Sequence, residues 1–429
     1  MLFDDHSKNG TTNRSMKNWL WLVLGVVASA VSWTYMHRVL LPWEYYLDVS
    51  HGRLKAPMGD LYPRWVGTRE LLLNGRNPYG AEVSHEIQTA FYGHAIEQSY
   101  DKPESEIVDE QRFVYPVYVV FLLAPTVRAD FARLQEWTPV VLGALTAISV
   151  WLWMGVLRWR PPPLVFVALA LFVLSSPQIA QGLRLRQFGL LVAFLLALAS
   201  WCVVRRRYFV AGVLLAVATI KPQMVALCLV WFLIWTLGDW KKRWPLVAGF
   251  GMVLAALVGA GEWLLPGWPR YFLEGLAAYR KYFPTTSPLR LILGDWMGGV
   301  LSVLAMAALL AFAWGKRKVG LDSPEFVQVL ALFFVGTTLV LPLLTPYNQV
   351  LLLLPVLMLI REWRSLPRWG SIAFALLVAW PLVVSQVMLV HPPQLESMHR
   401  TPLLPSALVL LFPFLLLWFV LARRQREAD

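Results

Sequence analysis

A carboxylate, several cations and a few amide and hydroxyl groups are the residues of this chain whose types and spacing suit catalysis. Asp60 begins a polar stretch, 59–80, that reads GDLYPRWVGTRELLLNGRNPYG. An aspartate with an ordinary pKa of about 4 is ionised at neutral pH and can take a proton from a hydroxyl group. Aspartate in front of a helix is also a common N-cap. Both roles stay open for Asp60, and Glu44, Asp48 and Glu70 are rival carboxylates.

Cations along the chain are predicted to hold a phosphate group. The negative charge of a phosphate leaving group grows in the transition state, so fixed arginine or lysine side chains lower the barrier. A lysine among apolar residues, as at Lys221, is costly and is commonly functional unless its side chain reaches the membrane surface. Arginines beside membrane helices often only contact lipid headgroups, which is the alternative for the others. The predicted phosphate-binding residues are Lys221, Arg64, Arg69, Arg184 and Arg186.

Hydroxyl, amide and imidazole side chains are suited to hydrogen bonds with the hydroxyl groups of a substrate such as a sugar. For the loop 347–349 and for His391 the alternative is a plain loop residue without a binding role. The predicted set is Tyr62, Asn77, Tyr79, Tyr347, Asn348 and His391. Walker A, HExxH and GxSxG motifs are absent from the sequence, and its seven histidines are scattered, so the sequence predicts neither a metal site nor a cofactor.

The elements that must position these residues are membrane helices. The chain of 429 residues is 58 % hydrophobic and 15 % charged, which excludes a soluble globule. The first apolar run, 19–41, has no cleavage site before it and is predicted to be a retained anchor. The net charge of +12 comes from short basic clusters between apolar runs, a topology signal that argues against nucleic-acid binding. Cys202 and Cys228 lie inside apolar runs and are predicted to be small core residues.

Basic flanks predict that the tails 1–18 and 423–429 are cytoplasmic and that 19–422 is a transmembrane domain. Loops 42–112 and 266–290 are then on the outer face. Thirteen apolar segments conflict with two cytoplasmic ends, which need an even number of crossings. Either 113–127 is re-entrant, or 208–237 is one helix broken at Lys221-Pro222, and both give about twelve crossings. The later segments are 113–127, 136–157, 164–180, 188–204, 208–220, 222–237, 245–265, 291–313, 326–344, 348–361, 370–390 and 402–422.

The stretch 59–80 is predicted to form a short amphipathic helix at the outer membrane surface. Asp60 stands at its N-cap, Pro63 in its first turn and Gly75 at its C′ position. Leu61, Trp65, Leu72 and Leu73 are expected to face the bilayer, and Arg64, Arg69 and Glu70 to meet the headgroups. A second helix is expected near 82–99. This placement holds the Asp60 carboxylate at the boundary of water and lipid.

The stretch DLYPRW at 60–65, followed by RELLLNGRNPY at 69–79, resembles the signature of glycosyltransferase family 87, which includes bacterial polyprenyl-phosphate-mannose-dependent mannosyltransferases. FVYP at 113–116 and TPYN at 345–348 resemble further parts of the family more loosely, as does QGLRLRQ at 181–187 together with Lys221-Pro222. At 282–288 the chain reads YFPTTSP, where many members carry an Asn-Gln-Ser stretch.

The resemblance implies an all-α GT-C fold of about twelve membrane helices with an active site on the outer face. It also implies metal-independent, inverting transfer of a sugar, mannose-like by family, from a polyprenyl phosphate to a hydroxyl of a lipid or glycan. Asp60 takes the place of the family's outer-loop aspartate, the proposed base. The family suggests a bacterial inner membrane. The donor sugar and the acceptor stay open.

Two other classes of function remain as alternatives. A lipid or solute transporter or flippase would carry its polar residues in a midplane cavity lined by broken helices, whereas here they crowd the predicted outer loops. A non-catalytic membrane subunit of an envelope assembly would use the Asp60 helix as a docking surface. Replacing Asp60 by asparagine separates an enzyme from both alternatives.

Overall fold

A computed structural model describes residues 58–96, 110–282, 287–343 and 345–362, together with scattered positions between 19 and 42. Within these ranges the regular structure is entirely helical. The first helices are α1 (Leu61–Asn74), α2 (Ala81–Tyr92), α3 (Val119–Leu123), α4 (Phe131–Val156), α5 (Pro163–Ser175), α6 (Pro177–Arg184), α7 (Phe188–Val204) and α8 (Tyr208–Ala218). The later ones are α9 (Pro222–Leu237), α10 (Trp240–Leu264), α11 (Trp268–Tyr282), α12 (Pro288–Leu293), α13 (Asp295–Gly315), α14 (Pro324–Val340) and α15 (Leu353–Glu362).

Three described helices, α4, α10 and α13, are long and apolar enough to cross a membrane. Helices α5 and α6 make a fourth span if the pair, bent by 62°, is counted as one. Shorter apolar helices, α7, α8, α9 and α14, pack among them. The helices are those of a membrane protein, while the total of about twelve crossings stays a prediction. The segments 370–390 and 402–422, the tails and the carboxylates Glu44 and Asp48 lie outside the described residues.

The segments 113–127 and 208–237, which left the number of membrane crossings ambiguous, are each divided into shorter helical pieces. The predicted segment 113–127 contains the five-residue helix α3 and a 3-10 turn, Ala124–Thr126, which are too short to cross a bilayer. The predicted segment 208–237 is divided into α8 and α9, with Lys221 in the turn between them and Pro222 at the first position of α9. Proline is favoured at that position because its missing N–H needs no partner there.

The core of the bundle lies between α9 and α14. Trp231 and Trp235 of α9 are fully buried and pack against Phe326 of α14, with ring centres 5.9 and 5.1 Å apart. Cys228, on the same helix, is buried and unpaired, and Cys202 of α7 is also buried and unpaired, as predicted. Aromatic rings fill this interior because they bury a large apolar area with few rotatable bonds.

Helices α8 and α10 approach each other through a pair of glycines. A Cβ on Gly212 would overlap the carbonyl oxygen of Leu246, and one on Gly249 would overlap that of Phe209. Small residues at a membrane-helix interface allow two backbones to come this close. The eleven residues of α8 are therefore held against α10 by direct backbone contact.

Helix α1 departs from the prediction of an amphipathic surface helix. It begins and ends where predicted, with Gly75 in the left-handed region at φ +65°. Its sides, however, are mostly buried within the protein, and Trp65 donates a hydrogen bond to the carbonyl of Thr126 at 3.1 Å. Of the residues expected at headgroups, Arg64 and Glu70 are buried. The expectation was wrong because α2 and the segment around α3 cover this helix.

Helices α1 and α2 are joined by a charged cluster around Glu70, which is 2 % exposed. The Glu70 carboxylate accepts hydrogen bonds from Asn74 at 2.7 Å, from Arg76 at 2.8 Å and from Arg69 at 3.0 and 3.1 Å. Both arginines also bind Glu86 of α2. Burial raises the pKa of Glu70, but these hydrogen bonds outweigh it and leave the pKa below its usual value. The cluster fixes α1, and with it the position of Asp60.

Candidate active site

The turn between α6 and α7 forms one wall of the candidate site. Leu185 N–H donates to the carbonyl of Gln181, and Gln187 N–H donates to that of Gly182 at 2.8 Å. Between them Arg186 adopts φ +53°, the left-handed conformation that closes a helix in a Schellman-type cap. The cap ends α6 and places Gln187 at the N-cap position of α7.

Asp60 is attached to this turn by its backbone. Its N–H donates to the carbonyl of Leu185 at 3.0 Å. The preceding Gly59 has φ +59°, and a Cβ there would lie 3.0 Å from the same carbonyl oxygen. Glycine fits this position because it has no Cβ and tolerates positive φ. The approach brings the start of α1 onto the start of α7.

The Asp60 side chain does not cap its helix, although Asp60 occupies the N-cap position. Its Oδ2 accepts a hydrogen bond from the Gln187 side-chain Nε2, and Arg64 Nη2 lies 3.9 Å from the same oxygen. Arg64 Nη1 donates to the Asp60 carbonyl. The guanidinium also lies 4.2 Å from the centre of the Tyr115 ring, a cation–π distance. The carboxylate thus points away from the helix end, into the bundle.

Lys221 reaches the same place from the turn between α8 and α9. Its side chain is buried, and Nζ donates a hydrogen bond to Asn348 Oδ1 at 2.9 Å. A longer hydrogen bond of 3.5 Å joins Nζ to Gln187 Oε1, and the centre of the Tyr347 ring lies 4.8 Å away. Asn348 in turn donates to Thr345 Oγ1, which fixes its amide with the oxygen towards the lysine. The buried ammonium is hydrogen-bonded, as a buried charge must be.

These side chains line a cavity of about 160 Å³. Its described charged lining residues are three cations, Arg64, Arg112 and Lys221, and one carboxylate, Asp60. This excess of positive charge favours an anionic ligand. Tyr115 is buried, lines the same cavity and lies against the Arg64 guanidinium. The other polar lining residues are Gln111, Gln187, Gln223, Tyr279, Thr345, Tyr347 and Asn348.

A larger and mostly apolar cavity of about 650 Å³ lies next to the polar one. Helices α12, α13 and α14 form its walls, with Val303, Met306 and Leu310 among its lining residues. Arg280 and Arg290 are its described charged lining residues. Pro342 lines both cavities, so the two spaces are neighbours. Helix α12 lies directly against α13 at Gly298. A Cβ at this position would overlap the backbone of Arg290, so glycine permits the contact.

Five of the predicted site residues line the polar cavity. They are Asp60, Arg64, Lys221, Tyr347 and Asn348. The predicted phosphate ligands Arg69, Arg184 and Arg186 are not among its lining residues. Arg69 is held in the Glu70 cluster, and Arg186 donates to the carbonyls of Gln135 and Arg184. Arginine pairs with whichever acceptors are nearest, and the sequence does not reveal those acceptors.

The predicted sugar-binding residues of the first motif form its local structure. Asn77 Oδ1 accepts from the N–H of Tyr79 at 3.0 Å, a turn-stabilising contact. Tyr79 donates to the carbonyl of Tyr115. Tyr62 packs its ring against Phe91 and Phe131. Tyr62, Asn77 and Tyr79 are not among the described residues that line the polar cavity. His391 lies outside the described residues.

Sequence reasoning missed Gln187, Arg112 and Tyr115. Gln187 stands in the stretch 181–187, which drew attention only for its arginines. Arg112 is paired with buried Glu110, and neither residue was predicted to have a role. Tyr115 was noted as part of the run 113–116 without a role. A glutamine after a helix end rich in arginine is a weak signal of a site residue. Its role depends on the Asp60 carboxylate, which lies more than a hundred residues away in the chain.

A family model for glycosyltransferase family 87 matches residues 113–346, more than half of the chain. The chain belongs to glycosyltransferase family 87. Membership makes this family 87 protein a glycosyltransferase. The match includes Tyr115, Gln187 and Lys221, while Asp60 precedes it and Asn348 follows it. Comparisons with curated proteins and with solved structures gave no match.

Proposed function

We propose that this family 87 member transfers a sugar from a polyprenyl phosphate to a hydroxyl group of a lipid or glycan acceptor. Transfer takes place at the outer leaflet of a bacterial inner membrane, both chain termini being cytoplasmic, and inverts the anomeric carbon. The sugar is mannose-like, by resemblance to the family. One observation carries the proposal: a carboxylate, Asp60, and a buried ammonium, Lys221, line the same cation-rich cavity.

In the proposed reaction Asp60 takes the proton of the acceptor hydroxyl. The hydroxyl oxygen forms a bond to the anomeric carbon, and the bond from that carbon to the phosphate oxygen breaks. The electron pair leaves with the polyprenyl phosphate, whose growing negative charge is stabilised by Lys221 and Arg64. Both cations line the cavity with Asp60, and both are buried, so water screens their charge little.

The neighbouring apolar cavity supports a lipid as the donor. Its volume of about 650 Å³ and its aliphatic walls suit the prenyl chain, and Pro342 connects it with the polar cavity. A phosphate at the junction would be within the influence of the cations of the polar cavity while its chain stays among apolar side chains. Tyr347 and Asn348 line the polar cavity and supply groups for sugar hydroxyls.

The test is sugar transfer by the purified protein in liposomes. Radiolabelled polyprenyl-phosphate sugars would be supplied with a membrane lipid extract, for wild type and Asp60→Asn side by side. Asparagine keeps the size of the side chain but cannot accept the proton, so transfer by wild type alone is the expected result. Equal transfer by both proteins would exclude Asp60 as the base. Failure of every donor with wild type would refute the polyprenyl-phosphate donor.

A further inference from the structure

We propose that Gln187 is a positioning residue that holds the Asp60 carboxylate and the Lys221 ammonium apart while both face the cavity. The inference rests on the proposed function, in which Asp60 is the base and Lys221 stabilises the leaving group. The described contacts place the Gln187 side-chain amide between the two charged groups, with a hydrogen bond on each side.

The two ends of the amide match the two charges. Its Nε2 donates to Asp60 Oδ2, and its Oε1 accepts from Lys221 Nζ at 3.5 Å. An amide has one donor end and one acceptor end, so the reverse orientation would set its oxygen against the carboxylate and its NH2 group against the ammonium. Only one orientation of Gln187 is favourable, and it fixes both neighbours.

The backbone of Gln187 gives the amide a rigid base. Its N–H is bound to Gly182 O at 2.8 Å, and its carbonyl accepts from the N–H of Leu190 at 3.1 Å, so both belong to helix ends. The residue is buried, and Phe188 begins α7 directly after it. A positioning group needs such support, because a small displacement of a reacting group is costly for catalysis.

Separation matters because opposite charges attract strongly in a buried site. A direct ion pair between Asp60 and Lys221 would lower the basicity of the carboxylate and occupy the ammonium. With the amide between them, each charge stays available for its substrate group. Other charged or titratable groups line the same cavity as Asp60: Arg64 of α1, Arg112 and Tyr115 before α3, Tyr279 of α11 and Tyr347 of the 3-10 segment Pro346–Leu352.

The test compares wild type with Gln187→Met and Gln187→Glu. Methionine keeps the length of the side chain and removes both hydrogen bonds, whereas glutamate keeps the shape and adds a second carboxylate beside Asp60. Gln181→Met is the matched control, because Gln181 is a glutamine of the preceding helix α6 that does not line the cavity. Transfer is measured as kcat and donor KM across pH. The titration of the Asp60 carboxyl is followed by infrared difference spectroscopy and assigned with Asp60→Asn.

We expect Gln187→Met to lower kcat about tenfold, with donor KM changed less than about twofold, since the contact orients reacting groups rather than binding the donor. The Asp60 titration midpoint should fall from wild type to Gln187→Met, because the ammonium and the carboxylate can then pair directly, and it should rise in Gln187→Glu, which adds a like charge. The acid limb of the kcat profile should move in the same order, and Gln181→Met should resemble wild type.

The infrared readout separates this inference from the proposed function. If wild type transfers no sugar but the Asp60 midpoint falls in Gln187→Met and rises in Gln187→Glu, the contact stands and the proposed function fails. If wild type transfers sugar and the Gln187 variants change neither kcat nor the midpoint, the positioning role is refuted. Equal loss of activity in Gln181→Met and Gln187→Met, with unmoved midpoints, would also refute it, since that pattern indicates loss of stability.

Discussion

At the scale of single residues, the candidate site is a small set of charges with hydrogen-bonded partners. Asp60 and Lys221 approach it from different turns, and each is oriented by an amide, Gln187 or Asn348. The sequence indicated both charged residues, because a carboxylate before a helix and a lysine in an apolar run are conspicuous. It did not indicate Gln187, since an amide becomes informative only when its neighbours in space are known.

Lys221→Met tests the leaving-group role. Methionine fits the buried, apolar surroundings but carries no charge, so we expect kcat to fall by about 10²-fold or more, the range found when one group that stabilises a developing anion is removed. Steady-state kinetics with a polyprenyl-phosphate sugar would measure it. Retention of kcat within about threefold, in a variant that unfolds at the wild-type temperature, would show that Lys221 does not act on the leaving group.

Gly189→Ala tests how closely the lysine is confined. A Cβ on Gly189 would lie 3.2 Å from Lys221 Nζ and 3.4 Å from Met224 Sδ, so the ammonium must move. We expect a lower kcat without a large change in thermal stability. Gly251→Ala is the matched control, a helix glycine whose added Cβ meets nothing within 4 Å. Equal kcat for both variants would show that the lysine tolerates displacement.

At the scale of elements, the hydrophobic runs predicted the helix pattern, but the sequence did not predict the environment of α1. The segments 188–204 and 222–237 coincide with α7 and α9, because an uninterrupted apolar run ended by Arg205 or Gly238 has one obvious length. For α1 the sequence showed alternating charges and apolar residues, which indicated a surface helix. Glu70 lies buried with its arginine partners instead. A paired charge and a solvated charge look alike in a sequence.

Glu70→Gln is expected to destabilise α1, because glutamine cannot accept charge-assisted hydrogen bonds from the two arginines. The pKa of Glu70 is lowered in the folded protein, so its stabilising contribution is present above the ordinary glutamate pKa of 4.5 and is lost as pH falls through the folded pKa. Thermal unfolding in detergent should therefore show a lower Tm for the variant at pH 7 and a smaller difference at acidic pH.

Glu82→Gln serves as the control for this prediction. Glu82 pairs with Arg76 at 3.1 Å, but its side chain is 80 % exposed, where an ion pair contributes little. Its Tm should stay close to that of wild type at both pH values. An equal loss in both variants would attribute the effect to net charge rather than to the buried cluster. A difference between Glu70→Gln and wild type that grows at acidic pH would contradict the assigned pKa direction.

At the scale of the whole molecule, two cavities of different character adjoin at Pro342. One is small, polar and rich in cations, and the other is large and apolar. Composition indicated the class of the molecule, and a few motifs indicated the family. The sequence could not indicate these cavities, since their lining residues come from α1, α9, α11, α12, α13 and α14 and from the segments before α3 and α7. Hydrophobic periodicity does not show how these helices pack.

Ala307→Trp tests the role of the apolar cavity. Ala307 of α13 lines it, and an indole ring would fill part of its volume. We expect a higher KM for long-chain polyprenyl donors and little change for a short-chain analogue, because only the long chain needs the space. Ala255→Trp, on an exposed part of α10, is the control. An equal rise in KM for both chain lengths would refute the assignment of this cavity to the chain.

The glycine contact between α8 and α10 has a consequence for how the protein is made. With eleven residues, α8 is about 16 Å long, roughly half the thickness of the hydrocarbon core. Helix α7, which is made earlier, already packs against α8, but the glycine contact with α10 cannot form until the ribosome has passed α9 and reached Gly249, a delay of a few seconds at about 5–20 residues per second. The order of synthesis therefore determines when Lys221, in the turn after α8, can take its final position in the candidate site.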